Sequence, residues 1–522
     1  MKNILKVLLP LSAAFLIYPS SYGQAENEKQ VIFDYTVTMP DPSRHLLHIE
    51  LKYKGMPKDT IDFKMPVWMP GYYQIMDYPD QVSEFSARTA GGNKLSVIKK
   101  GNNTWKVASE KEKVINISYN VRADKRFVAN SWLDSTHCYI IPGATFLFCE
   151  EYIKSPVTVK VVPDSRFPDI ATGLGQAAGK TNTFIASDFD ILYDSPILAG
   201  KLEEFPQFKI NGIVHRFIAF NPGTFDKAAL MSALEKSVKE ATELIGDIPY
   251  PGYTFIGIGP GFGGIEHLNN TTVSFYGGNL DNNHQAFQKM ILFLTHEYFH
   301  NYNVKRIRPF ELGPFDYSGE NRTNLLWVSE GLSVYYEYLI VKRAGLLNDD
   351  DLFRNLAADI TSFENDPGKE YQSLIQSSYN TWSDGPFGKK PGEADRAISY
   401  YEKGPVAGLI LDFAIRKATD SKKSLDDVMR LVYRKYYKEL ERGFTDAEFQ
   451  KACEEIAGAG LSRVFEYMTT TREIDYASYL SLAGLKLSSS PDSGGIRKYS
   501  ITQETNPSEA QLRFLKSWLN GN

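Results

Sequence analysis

At Asn221-Pro222-Gly223 the spacing of apolar residues along this chain changes, and that change limits the possible folds more than any other feature. Before it, short β-branched and aromatic runs such as Val31–Val37, His48–Tyr53 and Val114–Val121 alternate apolar and polar residues. This is the period of strands with one buried face. Gly91-Gly92 and Asn102-Asn103 supply turns between such runs. After the change, Leu230, Leu234, Val238, Ala241 and Ile245 recur at helical spacing until Gly246 ends the run. A chain of 522 residues is also too long for one core. The fold class expected is α+β and multidomain, with an antiparallel β-sandwich-like N-terminal domain over residues 24–221 and a mixed domain over 222–487.

The net charge of −5, with no basic run, argues against nucleic acid as a partner. Residues 1–23 have the form of a signal peptide: Lys2 and Lys6, an apolar centre from Val7 to Ile17, and Ser21-Tyr22-Gly23 before a cut at Gln24. That centre is short for a bilayer and no other stretch approaches twenty apolar residues, so an exported chain without an integral membrane segment is expected. Of the three cysteines, Cys138 and Cys149 flank a Pro142-Gly143 turn and either pair across a hairpin or stay as buried thiols. His45, His48, His137 and His215 are scattered and read as surface or hydrogen-bonded core residues.

Phe293-Leu294-Thr295-His296-Glu297-Tyr298-Phe299-His300 carries H-E-x-x-H in an apolar run long enough for a helix, with Asn282 or Asn283 as its cap. Positions i and i+4 share a helix face, so His296 and His300 can hold one metal ion, and Glu297 beside them can take a proton from water. A catalytic zinc ion usually has three protein ligands. No third His follows; Glu330, in Leu325-Leu326-Trp327-Val328-Ser329-Glu330-Gly331, is the next candidate, with Glu337 two turns on as an alternative ligand or a partner behind the ligands. Upstream, Gly263-Gly264-Ile265-Glu266 suggests an edge strand that another backbone can approach closely, with Glu266 facing either a cleft or solvent. The loop Pro66-Val67-Trp68-Met69-Pro70-Gly71-Tyr72-Tyr73 is either packing or a substrate rim. Lys305, Arg306 and Arg308 either hold main chain and acidic groups or meet a substrate carboxylate.

Together H-E-Y-F-H, N-Y-N-V-K-R-I-R-P, L-W-V-S-E-G-L-S-V-Y-Y, G-G-I-E-H-L-N-N, Y-E-K-G at Tyr401–Gly404 and the P-V-W-M-P-G-Y-Y loop resemble the glycyl aminopeptidase family of thermolysin-like zinc peptidases (gluzincins), related to the aminopeptidase N family. The likeness runs from about residue 30 to about 485. It implies a thermolysin-like domain, a small β-sheet plus a helical half, with one Zn2+ per chain on His296, His300 and Glu330. Manganese or cobalt suits the same ligands. It further implies Glu297 as general base, Tyr401 as hydrogen-bond donor to the oxyanion, and Glu266 as partner of the substrate's free α-amine. Gly263 and Gly264 would let the peptide lie along the strand. Members often carry a tryptophan where Tyr302 stands, and a C-terminal PDZ domain for which too few residues follow Leu487. Ser488–Gly495 reads as a linker and Asn506-Pro507 as the cap of a last helix whose Leu512, Leu515 and Leu519 dock on the body or on a second subunit. Capped helices are expected from Ser424 and Thr445.

The expected function is an exported zinc aminopeptidase that removes N-terminal Gly or Ala from peptides with a free N-terminus. Its rivals are an endopeptidase with the same metal centre and a peptide- or glycan-binding protein with a structural metal.

Overall fold

The computed structural model describes residues 31–386 and 396–521; the expected signal peptide lies outside them. In the N-terminal part a seven-stranded sheet is built around Ile32–Thr38, Leu46–Lys54 and Val114–Arg122. Their alternating buried and exposed positions send Phe33, Tyr35, Val37, Ile49, Leu51, Tyr53, Ile117 and Tyr119 into one core. Four-stranded and three-stranded sheets cover it. The sandwich is not wholly antiparallel, because Ile32–Thr38 runs parallel to Val157–Val162. Two buried tyrosines satisfy their hydroxyls by donating to loop carbonyls, Tyr119 to Thr145 at 2.9 Å and Tyr193 to Phe146 at 3.0 Å. This ties down the loops over the core.

The texture change at Asn221 marks a strand-to-helix junction inside one unit. Ile213–Phe220, before it, pairs in parallel with Gly252–Gly257, after it, and helix Lys227–Ile245 makes the crossover. Strands Leu202–Glu204 and Phe208–Ile210 join the same six-stranded sheet, and Phe205, Phe208 and Phe217 pack with Phe225 and Phe275 in the second core. Period two continues to residue 220 because the second unit begins with strands of its own.

Helices fill the rest, and those following Ser424 and Thr445 start at Leu425 and Asp446. Two of them cross in backbone contact: a Cβ on Gly331 would lie 2.5 Å from Gly404 Cα. Only a glycine pair permits that approach. Ser488–Gly495 is not a linker. Leu485–Pro491 pairs with Arg497–Gln503 in a hairpin whose Leu485 and Ile501 are buried, while its serines face solvent. The hairpin is held by Asn365, which donates to Arg497 O at 2.8 Å and accepts from Arg497 N at 3.0 Å. The last helix, Glu509–Asn520, is capped by Ser508 and not by Asn506. It docks on the body through Leu515, Trp518 and Leu519, with Trp518 Nε1 donating to Tyr335 at 2.8 Å; Leu512 remains exposed. Cys138, Cys149 and Cys453 are free and buried. No helix of the described residues is long and apolar enough to cross a membrane.

Candidate metal and catalytic site

The helix His284–Phe299 opens at Asn283, whose side chain accepts from Ala286 N at 2.9 Å. Its last turn carries His296 and Glu297, with His300 directly after it, all buried. The two imidazoles converge, Nε2 to Nε2 at 2.9 Å. His300 Nδ1 donates to Asn303 O at 2.7 Å, and His296 Nδ1 lies 2.9 Å from Glu337 Oε2. Both outer nitrogens are thereby engaged, which leaves the inner Nε2 lone pairs to face each other. Glu337 is therefore a partner behind His296. Asn303 Nδ2 donates to Val328 O at 2.8 Å and Ser333 Oγ at 3.1 Å, tying the end of this helix to the segment that carries Glu330.

Glu330 lies on a π-turn, Trp327–Gly331, just before helix Leu332–Arg343. Its Oε2 is 3.3 Å from His300 Nε2 and 3.7 Å from His296 Nε2. One ligand atom from each of the three residues falls within 4.8 Å of the others. Two imidazole nitrogens and one carboxylate, with outer nitrogens fixed, fit the donor set of a catalytic zinc site. The Gly331–Gly404 contact sets the helix Tyr400–Ala418 against this turn, so that Tyr401 donates to Glu330 Oε2 at 3.0 Å. Tyr400 instead meets Thr381 at 3.1 Å.

Burial pushes the Glu297 carboxyl up to about 7, against the pull of His296 and His300. Burial also acts on Glu330, but the two histidines overcome it and hold that carboxyl well below its ordinary range. Burial, then Glu330, raises Tyr401 well above the usual phenol value, so it stays a donor at neutral pH.

Gly264–Glu266 is an edge strand, paired antiparallel with Asn270–Val273 on one side only. A Cβ on Gly264 would overlap Glu297, so a side chain there would fill the space over its carboxyl. Gly263 has φ +89°, in the left-handed region that favours glycine. Glu266 is 4% exposed and its Oε1 accepts no hydrogen bond. The aromatic loop packs, and its Gly71 also reaches Glu266. Trp68 is buried and donates to Asp316 O at 2.7 Å, while Gly71 presses on Glu266, where a Cβ would stand 2.9 Å from Oε2. Arg306 donates to the carbonyls of Leu268, Asn301 and Pro249, a structural role. Lys305 turns to Asp194 at 2.9 Å. Asp194 had no signal of its own in the sequence, whereas Gly71 and Tyr73 lie in the aromatic loop and His267 in the Gly-Gly-Ile-Glu-His motif. His48, His137 and His215 are held by Asn120, by stacking on Phe220, and by Tyr250.

Residues 34–201 match the Peptidase M61 N-terminal domain, and residues 289–407 match the M61 glycyl aminopeptidase domain. Among solved structures the chain is similar to an aminopeptidase N family protein from Idiomarina loihiensis, with TM-score 0.83 and 24% identity over 92% of this chain and 82% of that one. It is also similar to an M1 zinc metallopeptidase from Deinococcus radiodurans, TM-score 0.51 and 12% identity over 86% of this chain and 95% of that one. Yeast LTA4 hydrolase in complex with bestatin gives TM-score 0.53 and 12% identity over 87% of this chain and 70% of that one. No curated protein matches the chain. With both domains matched in order, and the His-His-Glu cluster and its neighbouring glutamate brought together within the second, the chain belongs to the M61 glycyl aminopeptidase family and is a metallopeptidase.

Proposed function

We propose that the protein is an exported zinc aminopeptidase that removes N-terminal glycine or alanine from peptides. One observation carries the choice of aminopeptidase over endopeptidase. Gly264 and Glu266 are two apart on one edge strand and so face the same way, Gly264 against Glu297 and Glu266 with a buried, unpartnered oxygen. A peptide added along this free edge with its ammonium on Glu266 brings its first carbonyl to Glu297.

His296, His300 and Glu330 would hold the zinc ion, which when bound acidifies water and polarises the scissile carbonyl. Glu297 takes the proton from the attacking water and passes it to the leaving amine. Its raised carboxyl suits both roles. Tyr401 donates to the oxyanion of the tetrahedral intermediate, a contribution of about 10²–10³ in rate for a single donor. A structural metal site would need neither residue. The glycine preference is supported by the family's description, alanine being the next smallest residue, and export by the Lys2–Gly23 leader pattern.

The deciding assay follows cleavage of a glycine-led peptide beside its N-acetylated twin, each with and without a chelator, for wild type and Glu297→Gln. Cleavage of the free-amine peptide alone, stopped by chelator and reduced about 10²–10⁴-fold by the substitution, is expected. Equal cleavage of the twin would make the enzyme an endopeptidase.

A further inference from the structure

Building on the aminopeptidase reading, we propose that Lys305 and Asp194 are positioning residues for Glu266, so that the N-terminal β domain takes part in recognising the substrate's α-amine. Lys305 Nζ lies 2.9 Å from Asp194 Oδ1 and 3.9 Å from Glu266 Oε1, with its side chain only 7% exposed. A buried ammonium is costly unless paired, and here two carboxylates flank it. The 3.9 Å separation is too long for a hydrogen bond. Lys305 therefore attracts and orients the Glu266 carboxylate without occupying Oε1, which remains buried and unpartnered.

Asp194 fixes the other end. It follows the short helix Phe189–Tyr193, whose Phe189, Leu192 and Tyr193 belong to the N-terminal core. His267 Nδ1 lies 3.0 Å from its Oδ1, and Leu268 N donates to its Oδ2 at 2.6 Å. The Asp194 carbonyl accepts from Asn270 Nδ2 at 3.4 Å. Burial pushes His267 down, so it serves as a neutral donor. The cluster then holds two carboxylates against one ammonium, a single uncompensated negative charge that one substrate ammonium balances. A cavity of about 220 Å³ lies against this cluster; Lys154, Arg308, Asp188 and Asp190 also line it, two cations and two carboxylates that leave the net charge unchanged. Gly71, also from the N-terminal domain, backs the same carboxylate: at φ +95° its backbone approaches so closely that a Cβ would meet Ile265 Cγ2 at 2.7 Å.

Glycine hydroxamate and acetohydroxamate differ only in the amine, and their inhibition constants on the zinc-loaded full chain test the proposal. Wild type is expected to prefer glycine hydroxamate. Lys305→Met is expected to lose about tenfold or more of that affinity, keep acetohydroxamate within about twofold, and retain its zinc. Lys305→Arg, which keeps the charge, is expected to recover to within about threefold. Equal loss for both inhibitors, or no loss for either, would overturn the role. If wild type itself binds the two alike, the aminopeptidase reading falls and this inference with it; if wild type and Lys305→Met both keep the preference, the inference alone falls. Should Lys305→Met not fold, Asp194→Asn carries the test, with selective loss of glycine hydroxamate expected and unchanged preference overturning it.

Discussion

Glu297 and Glu330 approach the same pair of imidazoles, yet their carboxyls are driven in opposite directions. Glu330 is in contact distance of both inner nitrogens and is held ionised, as a ligand must be. Glu297 faces the edge strand beneath Gly264, where burial dominates and the carboxyl rises to about 7. Placement on two different segments around one pair of imidazoles thus drives the two carboxyls apart, as the proposed ligand and base require. Away from the site, His215 shows the same physics applied to stability. It is buried between Phe208 and Tyr250, and burial, weakly opposed by its contact with Ile213 O, lowers it to about 4. Its unfolded value is about 6.5. Between these values the unfolded chain binds a proton that the folded chain refuses, so stability falls as pH drops from about 6.5 to about 4 and levels off below. His215→Gln removes this part, and urea midpoints measured at pH 7 and pH 5 are expected to lie closer together in the variant. An unchanged gap would mean that His215 is not buried as a neutral ring.

At the scale of elements, the site depends on the crossing of the Glu330 turn and the Tyr401 helix at Gly331 and Gly404. Gly404→Ala inserts a methyl where the backbones touch. Overpacking of this kind costs about 1–3 kcal/mol. It also moves Tyr401 away from Glu330, so kcat is expected to fall more than the urea midpoint shift alone explains, with KM little changed. Equal kcat in a destabilised variant would show that the crossing supports the fold but not the site. Each partner of this contact lies in a sequence motif, Gly331 after Glu330 and Gly404 after Tyr401-Glu402-Lys403; nothing in their spacing, seventy-three positions apart, says that they meet.

For the whole molecule, three buried ligands from two segments converge with no lysine or arginine among them. A metal ion that binds only the folded state adds stability that grows with the logarithm of its concentration over Kd. Chelation is therefore expected to lower Tm and stoichiometric zinc to restore it, read by scanning calorimetry beside metal analysis. A Tm indifferent to chelator would mean that the cluster holds no metal ion. The two cores add a second consequence. Lys305, on the metal side, reaches Asp194, on the N-terminal side, so the proposed amine site would be assembled across both.

Local periodicity determined what lies close along the chain: the strands of the N-terminal sandwich, the helix that sets His296, Glu297 and His300 on one turn, and the helices that start after Ser424 and Thr445. Such readings succeed because they need only the 2.0 and 3.6 residue repeats and capping chemistry. The sequence misread places where the same composition serves two ends. Serines on the outer face of the Leu485–Gln503 hairpin look like a linker, and strands of the second sheet before Asn221 look like the end of the first domain. Only the tertiary structure decided that Asp194 and Gly71 stand beside Glu266, that Gly331 meets Gly404, and that Glu337 lies behind His296. Those contacts join distant segments through burial and charge, which act across space and leave no period in the chain.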